Sequence, residues 1–242
     1  MLRLRAKWED STAIARVSAG IGRPVSQPGL FVTFEGPEGG GKTTQARLLA
    51  ARLEAAGQPV LLAREPGGTA VGERIRELVL DPALEPGPLA TTEALLFCAA
   101  RAELVERVIR PALAAGVAVV CDRFMDATLA YQGYGGGLDL DGLERVIRFA
   151  TGGLAPDRTL LLDVPPSIGL DRRRRDGALN RLDEAELDYH ERVRAGYLEL
   201  AAREPGRWSV IDAASGSEQV AQAVWDAVGS LRLDAGASAL TE

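Results

Sequence analysis

The chain has 242 residues, 46% hydrophobic and 26% charged, enough to bury a full core as one large α/β domain or as two small ones. A formal net charge of −6 argues against a general nucleic-acid binder, whose electrostatic footprint is basic. No apolar run approaches the length of a membrane span, and one histidine with two isolated cysteines leaves a zinc site out of reach.

Residues 1–28 carry four arginines and one lysine with little periodicity, and end in Pro24, Ser26, Gln27 and Pro28. Glu9 and Asp10 count against a transit peptide, and no apolar segment suggests secretion. The expectation is a disordered extension ahead of a domain over residues 29–233, or translation from an upstream start, with a second disordered tail over residues 234–242. Cys98 and Cys121 sit in apolar surroundings and read as reduced core residues of a cytoplasmic protein. His190, in a charged helical stretch, reads as a surface residue.

The first predicted strand is Leu30-Phe31-Val32-Thr33-Phe34, and a helix-forming stretch from Gln45 to Ala56 stops at Gly57. Between them, Gly36-Pro37-Glu38-Gly39-Gly40-Gly41-Lys42-Thr43 fits the phosphate-loop pattern G-x-x-x-x-G-K-[ST]. Glycines let backbone N–H groups close around phosphate oxygens, and the new helix adds its free N–H groups and positive dipole end. Lys42 can reach the β- and γ-phosphates of a nucleoside triphosphate, and the Thr43 hydroxyl can ligate Mg²⁺. An ordinary glycine turn is the bland alternative, and the strand and helix flanks weigh against it.

Four further short apolar runs are predicted strands: Val60–Ala63, Val117–Cys121, Thr159–Val164 and Trp208–Ile211. Continuous apolar runs suit strands buried on both faces of a parallel sheet. Helical segments lie between them, with apolar residues at three- and four-residue steps, as at Leu143, Val146, Ile147 and Ala150. Thr91 or Thr92 is placed to cap a long helix that meets Pro111, with Gly116 ending it. This alternation predicts a doubly wound sheet with ligands above the carboxyl ends of the strands.

Motifs cluster just after those strand ends. Arg64-Glu65-Pro66-Gly67-Gly68-Thr69 follows the second strand, and Asp122-Arg123-Phe124, running on to Ala130-Tyr131-Gln132-Gly133, follows the third. Leu95-Leu96-Phe97-Cys98-Ala99-Ala100-Arg101 lies on the long helix, where Phe97 and Arg101, one turn apart, share a face. An aromatic face with a rigid donor fork suits a flat heterocycle carrying a carbonyl. Asp122, ending an apolar strand beside the phosphate loop, can hold Mg²⁺ through its waters. After the fourth strand comes Arg172-Arg173-Arg174-Arg175, ending in Asn180-Arg181-Leu182-Asp183.

Together these motifs resemble the thymidylate kinase family, in its bacterial form, over about Leu30 to Leu231. The resemblance implies a P-loop nucleoside monophosphate kinase fold, a five-stranded parallel sheet with helices on both faces, in a cytoplasmic homodimer. It implies transfer of a phosphoryl group from ATP, with Mg²⁺, to dTMP. Arg123 matches the arginine that bridges donor and acceptor phosphates, and Arg76 the one that holds the dTMP phosphate. Phe97 matches the ring stacked on thymine and Arg101 the hydrogen-bond donor to its edge. Glu65 matches an acidic residue near the sugar and metal side, Thr128 and Gln132 polar contacts to the base, and Tyr131 the ring beside sugar C2′. Where the family often has Ser, this chain has Ala127. Its phosphate loop carries no arginine, so the resemblance implies a lid over about residues 172–185 that supplies one from Arg172, Arg174 or Arg181. Two other readings stand beside this one: a kinase for another nucleoside monophosphate, and a P-loop ATPase that drives a partner.

Overall fold

In the computed structural model, residues 28–177 and 186–238 are described; Arg181 and the rest of residues 178–185 fall outside them, as do residues 1–27 and 239–242. Five parallel strands form one sheet: β1 (Phe31–Glu35), β2 (Val60–Arg64), β3 (Ala118–Asp122), β4 (Arg158–Asp163) and β5 (Trp208–Asp212), in the order β2-β3-β1-β4-β5. Each lies within one residue of its predicted position at either end. The apolar runs were legible because β1 is buried along its whole length and β3 along all but its last residue.

The helices fall between the strands in chain order: α1 (Lys42–Ala55), α2 (Ala70–Leu80), α3 (Ala90–Leu104), α4 (Arg110–Ala114), α5 (Met125–Thr128), α6 (Leu140–Thr151), α7 (Pro166–Asp176), α8 (Leu187–Arg203) and α9 (Ser217–Ser238). α9 runs past Asp234, where the tail was expected to begin. A π-helical stretch, Val105–Ile109, joins α3 to α4, and another, Leu129–Gly135, continues α5. One core cluster packs α1 and α9 on the sheet through Leu49, Leu53, Val220 and Val224. A second joins α3, α6 and α8 through Cys98, Ile147 and Tyr197, and a third lies under Leu104, Ile109 and Phe124.

Two expectations from sequence are corrected. α3 has Leu89, not Thr91 or Thr92, at its cap, and no side chain caps it. His190 is buried rather than on the surface, because it falls on the same side of α8 as Val193, Tyr197 and Leu200, which enter the core.

Register brings three strand ends level, since Asp122 pairs with Phe34 on one side and Arg64 on the other. The sheet reverses its winding at β1, so the phosphate loop opens between the ends of β3 and β4. Beneath it runs a buried polar thread: Thr33 Oγ1 meets Thr159 Oγ1 at 3.1 Å, and Arg207 donates to Thr159 Oγ1 at 2.7 Å. Arg207 also grips Asp126 with two hydrogen bonds, at 2.7 and 2.9 Å, tying the start of β5 to the turn after β3. Truncating one member of such a pair leaves the other charge buried and uncompensated. Asp126→Ala should therefore lower stability by about 3 kcal/mol, read as a lower urea midpoint at unchanged slope; an unshifted midpoint would show that Glu204, which also pairs with Arg207, suffices.

Candidate active site

The phosphate loop turns directly out of β1. Gly36 has φ of +135°, and a Cβ there would come within 2.4 Å of the Leu162 carbonyl oxygen, so only glycine lets the loop leave the sheet so close to β4. At Gly39 a Cβ would meet the Gly169 carbonyl oxygen of α7 at 2.0 Å, so the loop and α7 touch backbone to backbone. Lys42 Nζ donates to the Gly36 and Pro37 carbonyls at 2.9 and 2.7 Å, which holds the ammonium inside the loop's curve. Burial, with Arg123 nearby, brings that ammonium down to about 8 against the pull of Glu38 and Asp122. Thr43 Oγ1 donates to Asp122 Oδ2 at 2.5 Å. Two hard oxygen donors thus stand side by side at the loop mouth, and they fit Mg²⁺ with phosphate and water completing its shell.

Arg123 is the one non-glycine residue among those described with positive φ, at 67°. Such a conformation costs about 1 kcal/mol or more and persists only where the surroundings impose it. Here its N–H donates to the Phe34 carbonyl at 2.9 Å, and the next N–H, of Phe124, donates to Glu35 Oε1 at 2.7 Å. The guanidinium then reaches Glu38 Oε1 (2.6 Å), Tyr131 Oη (2.7 Å), Tyr197 Oη (3.1 Å) and the Gly36 carbonyl (3.3 Å). Burial would raise the Glu38 carboxyl, but Arg123 and Lys42 outweigh it and hold the group at about 2.

From the loop a cleft of about 770 Å³ extends to Phe97, Arg101, Thr128 and Gln132, with Glu65, Arg76, Tyr131 and Ala127 along its walls. Arg101, 2% exposed, gives Nε to Glu65 Oε2 (2.8 Å) and Nη2 to the Phe124 carbonyl (3.0 Å) and Thr128 Oγ1 (3.1 Å). Its Nη1 meets only the soft Cys98 Sγ, at 3.8 Å, which leaves that end of the fork for a ligand. Arg76 is anchored on the Pro66 carbonyl at 3.0 Å and faces the same space.

Most of the residues singled out by sequence converge on this one cleft. Glu38 turns its side chain toward Arg123 and Tyr131 rather than toward the interior of its own loop. Arg172 reaches the Gly39 and Ala213 carbonyls at 3.3 and 2.9 Å. Arg174 is not among the residues lining the cleft; it pairs with Asp171 in the open, while Arg173 and Arg175, which sequence did not favour, do line it. Sequence reasoning also passed over Glu35 and Tyr197. Tyr197 Oη donates to Glu35 Oε2 at 2.8 Å, completing the clamp behind Arg123. The available signal for Glu35 was a lone acidic residue closing a fully buried strand.

Burial, reinforced by Asp126, pushes Glu35 from its usual 4.5 up to about 8. Its folded value exceeds its unfolded one, so the unfolded chain loses the proton first, and stability falls as pH rises from about 4.5 toward 8. Glu35→Gln removes that titration, so its melting temperature should fall less than the wild type's between pH 5 and 8. The divergence should be on the order of a few kcal/mol at most, at about 1.4 kcal/mol per unit of pKa difference. Parallel melting curves for the two proteins would contradict this account.

Comparisons with known proteins point to one family. The sequence model of the family described as Thymidylate kinase matches residues 34–224. A thymidylate kinase of Deinococcus radiodurans is 52% identical over 200 residues, covering 83% of this chain and 96% of that protein. One from Thermomicrobium roseum is 58% identical over 200 residues, covering 82% and 93%. The crystal structure of thymidylate kinase from Ehrlichia chaffeensis superposes with a TM-score of 0.67 at 33% identity, covering 84% of this chain and all of that one.

Proposed function

The chain belongs to the thymidylate kinase family, and from that premise we propose how its residues carry out the family's reaction, phosphorylation of dTMP to dTDP by ATP, a step of dTTP synthesis. The observation that carries the proposal is the single cleft joining a phosphate loop to the Phe97, Arg101 and Gln132 pocket, with the Arg123 guanidinium between them.

ATP lies with its phosphates in the loop from Gly36 to Thr43, against Lys42 and the N-terminus of α1. dTMP lies with its base on Phe97 and its phosphate toward Arg76 and Arg123. Thr43 and Asp122 are the residues that would hold Mg²⁺, which when bound neutralises charge on the phosphates. The nucleophile is a dTMP phosphate oxygen whose second ionisation lies near pH 6, so it is already anionic at neutral pH and needs no general base. The difficulty is repulsion between two anions. Lys42, Arg76 and Arg123 oppose it, and Arg172 is the lid arginine placed to join them, since α7 carries it onto the phosphate loop. Closure by α7 excludes water that would otherwise hydrolyse ATP.

Tyr131 narrows the cleft beside Arg123, where it packs against a sugar without a 2′-hydroxyl. Leu78 on α2, Leu95 on α3 and Phe149 on α6 are exposed on neighbouring helices, Phe149 at 89%. Together with the family membership, they support a homodimer packed through helices, for which light scattering should return twice the mass of the chain. Free, buried Cys98 and Cys121 support a reducing, cytoplasmic setting. No helix among the described residues is long and apolar enough to cross a membrane.

A coupled assay tests the reaction: ADP release should depend on dTMP, whereas release without dTMP would favour an ATPase. Lys42→Ala should abolish transfer while circular dichroism is preserved, because Lys42 is a site charge; near-normal turnover would remove the phosphate-loop assignment. Arg172→Ala should lower kcat by about 10³-fold, by analogy with arginine fingers, with a much smaller change in dTMP affinity, because the contact tightens on lid closure. A normal kcat in that variant would pass the role to Arg173, Arg175 or Arg181.

A further inference from the structure

Behind the base pocket lies a second buried contact, and it decides which face Gln132 shows to the cleft. Gln132 Nε2 donates to Glu93 Oε2 at 2.8 Å; both side chains are buried, Gln132 on the π-helical stretch after α5 and Glu93 in the first turn of α3. A carboxylate oxygen only accepts, so the amide must turn its NH₂ group to Glu93 and its carbonyl Oε1 the other way. Among the described residues nothing donates to that Oε1, and Gln132 lines the cleft.

The edge of thymine, resting on the dTMP reading given above, needs a particular partner set: donors for O4 and O2, and an acceptor for N3–H. Arg101 supplies donors only. Thr128 Oγ1 already accepts from Arg101 Nη2 at 3.1 Å. That hydroxyl keeps a second lone pair and can also donate, so it does not discriminate, whereas Gln132 Oε1 is held as a fixed acceptor available to N3–H. Cytosine reverses this edge, because its N3 accepts and its 4-amino group donates. Against an amide fixed in one orientation, cytosine N3 would face Gln132 Oε1, acceptor against acceptor, in a dry site where unmatched polar groups are costly. An unfastened amide could flip and donate to N3 instead.

We propose that Glu93 is a specificity-determining positioning residue: it fixes the orientation of Gln132 so that the cleft accepts the N3–H of thymine and rejects cytosine. Glu93 touches no substrate in this account. The lock distinguishes thymine from cytosine but is blind to thymine against uracil, which share the O4 and N3–H edge.

The test uses the full chain with dTMP, dUMP and dCMP as acceptors, comparing kcat/KM for wild type and Glu93→Gln, with a thermal melt to confirm folding. A glutamine at 93 can donate as well as accept, so Gln132 is released to flip. The dTMP-to-dCMP preference should drop by roughly tenfold, the scale of one mismatched buried hydrogen bond, while the dTMP-to-dUMP preference stays where it was. Glu93→Asp keeps the charge but withdraws it by one methylene, so it should lower the dTMP-to-dCMP preference as well; it serves as the second variant if Glu93→Gln does not fold. Activity lost in parallel on all three acceptors would overturn the proposal in favour of simple packing, as would an unchanged dTMP-to-dCMP ratio. Failure of the wild type to use dTMP would instead refute the reading on which it rests.

Discussion

The left-handed turn at Arg123 is the constraint on which the site depends. A β-strand that ends at Asp122 would ordinarily carry its next side chain away from the neighbouring loop. Positive φ at Arg123 reverses that direction and swings the guanidinium back over the phosphate loop, to the Gly36 carbonyl and Glu38. The turn is imposed by β1 rather than by its own sequence. The Phe34 carbonyl and the Glu35 carboxyl group take the two consecutive N–H groups of the turn, and Tyr197 from α8 seals that carboxyl group from behind. The strand that delivers the phosphate loop thus also aims the arginine that faces it. Displacing one would displace both, so their spacing is fixed by a single rigid piece of sheet.

Much of this was legible in the sequence, and the physical reason is locality. Strands such as Val117–Cys121 announce themselves because both faces of a parallel sheet are buried, and a phosphate loop must occupy consecutive residues because it wraps one anion. Asp122, Arg123, Tyr131 and Gln132 follow a strand end closely enough that topology alone puts them at the site. Glu35, Tyr197 and Glu93 escaped because they act on groups far along the chain and match no period. The clamp between Glu35 and Tyr197 spans 162 positions, and nothing in the helical pattern of α8 separates Tyr197 from its packing neighbours. His190 misled for a related reason: charged residues surround it in sequence, yet three-residue steps put it on the inner face of α8.

The distribution of arginines on α7 shows a limit of another kind. Four consecutive arginines fan around a helix at about 100° per residue, and the sequence does not say which direction faces the loop. The contact between Gly39 and Gly169 resolves that. Two glycines let the backbones meet, and in that packing Arg172 reaches the Gly39 carbonyl while Arg174 turns outward to Asp171.

A site built to hold two polyanions faces a problem when it is empty, because its cations repel one another. This chain answers with carboxylates: Glu38 against Arg123, Glu65 against Arg101, and Glu73 against Arg64. Each holds an arginine in position, and at Arg101 part of the donor fork, Nη1, is left for a ligand. Preorganised donors of this kind need little rearrangement when charge develops between the phosphates, which is where electrostatic catalysis gains most. The carboxylates also carry the overall acidic balance of the chain into its most cationic region. A net charge of −6 and an anion-binding cleft are therefore compatible, because local pairing rather than total charge sets the field that a nucleotide meets.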